Sequence, residues 1–143
     1  MTDNVKNTQV LVNTDRKLVI KYNEVGGSTP EASHTTVLVD ISASAYNSSD
    51  GKTMTGVAVE RVWADSSPGA LDASIRWDAT VDMLIASTGE SSGNMKFFQD
   101  YTLGDWGGLT KTGASPTGDI NVTTSGVGTG EQFYFIIEMR KTF

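Results

Sequence analysis

Read for polarity alone, the chain is a series of short stretches in which apolar and polar side chains alternate, broken by turn residues. Residues 17–23 put Leu18, Ile20 and Tyr22 on one face and Lys17, Lys21 and Asn23 on the other. Just before them, Thr8 to Val12 forms a short run, and Asn13-Thr14-Asp15-Arg16 predicts a turn. Residues 35–41 align Val37, Val39 and Ile41, and 53–64 align Val57, Val59 and Trp63 with Arg61. After Ser66-Ser67-Pro68-Gly69, the stretch Ser74–Trp77 presents Ile75 and Trp77, and 81–87 aligns Val81, Met83 and Ile85. Lys96 to Tyr101, 119–124 and 131–141 complete the set. The last is the most regular, with Phe133, Phe135, Ile137 and Met139 on one face and a mixed opposite face.

A period of two means that successive side chains point to opposite sides of a strand. About nine such strands, with no helical pattern between them, predict an all-β fold. We expect an antiparallel β-sandwich, jelly-roll-like or Ig-like, because two packed sheets bury what one-sided strands expose. The domain expected is a single one over 10–143. Residues 1–9 hold only Met1 and Val5 as apolar side chains and are expected to form a flexible arm, or an extended one that adds to a neighbour's sheet edge. The Gly-rich stretch 102–118 is long for a structureless loop and is expected to be functional or ordered from outside.

Composition narrows the function classes. At 143 residues one core is sufficient without staples, and there is no cysteine to form a disulfide or a thiolate metal site. The 15 glycines and many Ser and Thr residues favour turns and strands over helices. A net charge of −6 has the wrong sign for a nucleic-acid partner. The start has no apolar core of a signal peptide, and the longest apolar run, Phe133 to Ile137, is far too short for a membrane helix.

Candidate chemistry is sparse. The single histidine, His34, sits in Glu31-Ala32-Ser33-His34-Thr35 and reads as a solvated residue at a loop-to-strand boundary; its neighbour Ser33 would point the other way. One histidine without cysteine does not make a zinc site, and Asp78 and Asp82 read as a polar face rather than a calcium loop. Gly126-Val127-Gly128-Thr129-Gly130 lies between two strand patterns and predicts a hairpin connection, not a phosphate cradle. No catalytic residue, cofactor or metal is assigned, and the chain is not expected to be an enzyme. Asn47-Ser48-Ser49 and Asn121-Val122-Thr123 match the glycosylation pattern without a secretion signal to support it.

Binding residues are better represented. Trp106, in Gly104-Asp105-Trp106-Gly107-Gly108, is either an exposed interface or sugar-stacking ring, or a plug at one end of the sandwich. Arg61 stands on an otherwise apolar face, as an anchor near Trp63 or as the exposed end of its strand. With Tyr101 and the N-terminal Val5 and Val10, these are the candidate interface residues.

Three stretches resemble small virion structural proteins of tailed bacteriophages, especially those infecting marine bacteria. They are Arg16-Lys17-Leu18-Val19-Ile20-Lys21-Tyr22-Asn23; Val59-Glu60-Arg61-Val62-Trp63 through Ser74-Ile75-Arg76-Trp77-Asp78; and Gly118-Asp119-Ile120 through Thr123-Thr124-Ser125-Gly126 to Phe135-Ile136-Ile137-Glu138-Met139-Arg140-Lys141. The resemblance implies a head decoration (cement) protein: a compact β-sandwich, made in the host cytoplasm, that forms a homotrimer on the outer surface of the head and clamps the major capsid protein. The alternative is a carbohydrate-binding, host-recognition module, or a tail or neck accessory component. The first requires the protein on the shell at icosahedral positions; the second requires glycan binding that depends on Trp106.

Overall fold

In a computed structural model of the chain, residues 4–66, 72–88, 95–102 and 107–143 are described. Nine strands run in chain order: β1 (Val5–Asn13), β2 (Lys17–Val25), β3 (Ala32–Val39), β4 (Gly56–Ser66), β5 (Ala73–Trp77), β6 (Met83–Ser87), β7 (Met95–Asp100), β8 (Ile120–Gly126) and β9 (Gln132–Thr142). A 3-10 turn, Ser44–Tyr46, lies between β3 and β4. One sheet has the order β1-β2-β9-β4-β7 and the other β3-β8-β5-β6.

The pairing is nested. β2 pairs with β9, β3 with β8, β4 with β7 and β5 with β6, all antiparallel. A long hairpin folded over into two four-stranded layers has this order, which is the jelly roll. An Ig-like arrangement, equally open from the sequence, requires other partners. β1 is an addition, paired antiparallel with β2 at one edge.

The inner face of the five-stranded sheet is built from transverse rows of opposed residues. They are Leu18, Met139 and Val59; Ile20, Ile137 and Val62; Tyr22, Phe135 and Ala64; and Glu24, Phe133 and Ser66. Ile75, Trp77, Ile120 and Val122 close the core from the other sheet. Stacked edges of Tyr22, Phe133 and Phe135, with ring centroids about 6 Å apart, fill its centre.

Three of the expected alternations are broken by β-bulges. One between Val59 and Arg61 reverses the faces of β4: Val57 and Val59 point inward, but Arg61 and Trp63 point out, and Val62 and Ala64 replace them in the core. A second, between Val37 and Val39, buries Leu38 and Val39 together and leaves Val37 exposed. A third, opposite Ile75 and Arg76, buries Ile85 with Ala86 while Met83 and Val81 remain exposed. The segment after β8 is also not a hairpin within one sheet. It crosses between the sheets, because β8 and β9 belong to different layers. Gly26 lies against this crossing so closely that a β-carbon would stand 2.0 Å from the Gly128 carbonyl oxygen.

Of the expected arm, residues 1–3 lie outside the described residues. From Val5 onward it is β1, continuous through Asn13, with main-chain pairing to β2 over its length. Both ends of β1 are clipped. Asn13 donates to the Ala45 carbonyl at 2.8 Å and accepts from Lys141 Nζ at 2.5 Å, and Asp15 in the following turn accepts from the Ser49 amide at 2.9 Å. At the other end Asn4 donates to Glu24 and accepts from the Glu31 amide.

Candidate functional site

The outward face of the five-stranded sheet is where this fold concentrates unusual side chains. The bulge in β4 delivers them: without it Trp63 would be in the core. A transverse row runs Lys21, Ile136, Trp63, Phe98 across β2, β9, β4 and β7. Trp63 and Phe98 stack in a tilted pair with centroids 5.4 Å apart, and Phe98 remains 55% exposed. Lys21 places its ammonium 5.3 Å from the Tyr134 ring on the adjoining row.

The next row is charged. It runs Val12, Val19, Glu138, Arg61, Asp100. Arg61 Nη1 donates to Glu138 Oε1 at 3.0 Å and its Nε donates to Asp100 Oδ2 at 3.2 Å. Lys17 also donates to Glu138 and stands 3.8 Å from Glu60. Arg61 is therefore neither a stray cation on a core face nor the loose end of a strand. It is the hub of a mid-sheet network.

Its electrostatics follow from these contacts. Partial burial raises the Glu138 carboxyl, but hydrogen bonds and charge from Lys17 and Arg61 outweigh it, so the group lies below the ordinary glutamate value. The Asp100 carboxyl is lowered chiefly by the Thr102 hydroxyl and amide, with Arg61 adding to it. Three carboxylates, Glu60, Asp100 and Glu138, face two cations. Glu60 Oε1 is buried without a hydrogen bond among the described residues, with the Lys17 ammonium 3.8 Å away.

The sequence-level candidates divide. Val5 and Val10 are 61% and 47% exposed on β1, where all nine residues are exposed. Arg61 is on the outward face, as above. Tyr101 is half-buried: it packs on the core, its hydroxyl donates to the Ile85 carbonyl at 2.8 Å, and burial raises its phenol. Trp106 lies outside the described residues. Trp63 and Phe98, the central pair, were not among the candidates, because simple alternation assigns Trp63 inward.

His34 is also differently placed from expectation. It is a strand residue, and its side chain is only 11% exposed. Nε2 lies 3.0 Å from Glu24 Oε1 and Nδ1 2.7 Å from the Ala32 carbonyl. The fully buried Glu24 carboxylate also accepts from the Tyr22 hydroxyl at 2.8 Å and from Asn4 at 2.9 Å. Lys6 and Glu31 pair at 2.7 Å beside them. Burial, then Glu24, push the Tyr22 phenol far up. Both Glu24 carboxylate oxygens are taken by protein donors, which makes the cluster a clip between sheets. Asp78 accepts from the Thr117 hydroxyl at 2.8 Å and Asp82 from the Ala79 amide at 3.3 Å, so both brace loops. Asn121, of the second glycosylation pattern, is buried.

No family model and no curated protein matches the chain.

Proposed function

We propose that this chain is a virion structural protein, a head decoration (cement) protein that binds the outside of a capsid shell through the outward face of its five-stranded sheet. The observation that carries the reading is the Ile136–Trp63–Phe98 row bordered by the Arg61 network. An aromatic centre with a charged margin is how protein interfaces are composed, and Trp and Arg carry a large share of their energy. Many copies on a repeating lattice turn modest single contacts into firm attachment. Jelly rolls occur in capsid and lectin domains alike, so the fold is compatible with the reading without selecting it. The resemblance to phage virion proteins favours the shell over a sugar. The glycan alternative relied partly on Tyr101, whose ring and hydroxyl are engaged internally.

The test is co-sedimentation with shells of the parent particle that lack this protein, followed by cryo-EM of the complex. Saturable binding with density at icosahedral positions is expected. A Trp63→Ser, Phe98→Ser double variant should bind about tenfold more weakly or worse. Density confined to the tail, or full binding by the double variant, overturns the proposal.

A further inference from the structure

The two layers of the sandwich differ by one strand, and the surplus lies at one edge. β3 sits over β2, joined by His34 and Glu24, while the β7 end sits over β6, joined by Tyr101 and the Ile85 carbonyl. Both ends of the four-stranded sheet are thereby matched to β2 and β7. Among the described residues no strand lies beneath β1. Its inward row is Lys6, Thr8 and Val10, opposite the buried Glu24, Tyr22 and Ile20, yet all three are exposed. Beside the free edge of β3 there is thus a slot one strand wide, roofed by β1.

We propose that the slot is filled by β1 of a second copy of this chain, in a two-fold pair whose axis runs along the strands. Half a turn about that axis exchanges the layers, so the five-stranded sheet of each copy abuts the four-stranded sheet of the other. Each β1 pairs along the other copy's β3, giving two nine-stranded sheets, and the two Val10 side chains meet between strands about 10 Å apart. β1 and β3 start at the same end of the sandwich, where Asn4 accepts from the Glu31 amide at 3.0 Å, so these new pairs are parallel.

Three features select a second copy as the occupant. The overhang and the slot are both one strand wide and on the same side of the molecule, so each copy completes the other and the contact closes at two. A trimer, which the resemblance implies, would need a different contact. The edges are also barely charged. β1 carries only Lys6, neutralised 2.7 Å away by Glu31 of its own chain, and β3 carries only His34, turned toward Glu24. Edge strands are ordinarily guarded by charge, and a chain with net charge −6 can meet its like here at little electrostatic cost. Finally, the nine residues of β1 and eight of β3 approach the roughly 20–30 residues per side of a standard stable interface, before the flanking turns are added. Trp63 and Phe98 lie toward the opposite edge, so shell binding and pairing use separate surfaces and can fail separately.

Light scattering and sedimentation of the purified chain decide the matter. A mass twice the 15.3 kDa of one chain is expected. Val10→Lys sets two ammonium groups against each other and should raise the dissociation constant about a hundredfold or more, giving folded monomers. Val37→Lys, on the outer face of β3, should remain a pair. Because the chain has no cysteine, Val10→Cys treated with a short bis-maleimide, which spans strands about 10 Å apart where a disulfide cannot, should cross-link copies and Val37→Cys should not, a readout that stands even if Val10→Lys fails to fold. Monomers at every concentration, a trimeric mass, a Val10→Lys pair of unchanged affinity, or no Val10→Cys cross-link overturns the proposal.

Discussion

His34 and Glu24 face each other across the two sheets, Nε2 to Oε1 at 3.0 Å, although only ten residues separate them in the chain. The turn between them carries the chain from one layer to the other, and the ion-pair geometry fastens it there. Glu24→Ala would strip acceptors from His34, Tyr22 and Asn4 at once. Leaving buried polar groups without partners costs about 3 kcal/mol or more. Urea denaturation should show the midpoint falling with an unchanged slope, and Glu24→Gln should recover part of the loss.

Acid should weaken the fold. Glu138 lies below its ordinary value because the donors Lys17 and Arg61 outweigh its burial, and Asp100 because of Thr102 and Arg61. A carboxyl that is lower in the folded chain than in the unfolded one stabilises above the ordinary value, and loses that contribution as pH falls through about 4 and below. The Asp15 carboxyl, held down by the Ser49 hydroxyl and amide, has the same sign. Below about pH 5 the urea midpoint should decline, and Glu138→Gln should make the decline shallower. A midpoint that rises as pH falls from about 5 to 3 contradicts this account.

Gly26 should not tolerate a side chain. Its missing β-carbon would lie 2.0 Å from the Gly128 oxygen and 2.6 Å from that of Val127, both main-chain atoms that cannot rotate away. Gly26→Ala should lower stability by about 1–3 kcal/mol, measured by thermal unfolding. Gly51, where nothing lies within 4 Å, serves as a comparison for the cost of its positive φ alone.

Two phenylalanines should separate packing from binding. Phe135 is fully buried between Tyr22 and Ala64 in its row, and Phe135→Ala should cost about 3–5 kcal/mol. Phe98→Ser should leave the unfolding midpoint within about 1 kcal/mol of the parent, because the ring is already more than half exposed. Its effect belongs to the shell-binding assay.

What the chain discloses by itself depends on the range of the interaction. β2 and β9 were legible to within a residue or two, since their burial alternates without interruption. Trp63 was assigned to the wrong face because the bulge after Val59 is set by pairing with Glu138 of β9, far along the chain. His34 looked solvated because the carboxylate that engages it belongs to the other sheet. Of β1 only the run from Thr8 to Val12 was visible, and Val5 to Asn7 read as part of a polar leader, because pairing with β2 decides that they continue the strand. Local periodicity records which face a residue prefers; bulges, sheet changes and offsets arise from partners that periodicity does not name.

Nesting also orders events in time. β9 lies between β2 and β4 and supplies a neighbour to each, so Leu18 to Val25 have no central partner until residues 132–142 exist. During synthesis the 131 residues that precede β9, out of 143, must wait with their apolar rows uncovered, and then close in one concerted step. Slow, all-at-once maturation of this kind favours a cell that shields nascent chains, and it makes late truncations far more harmful than early ones.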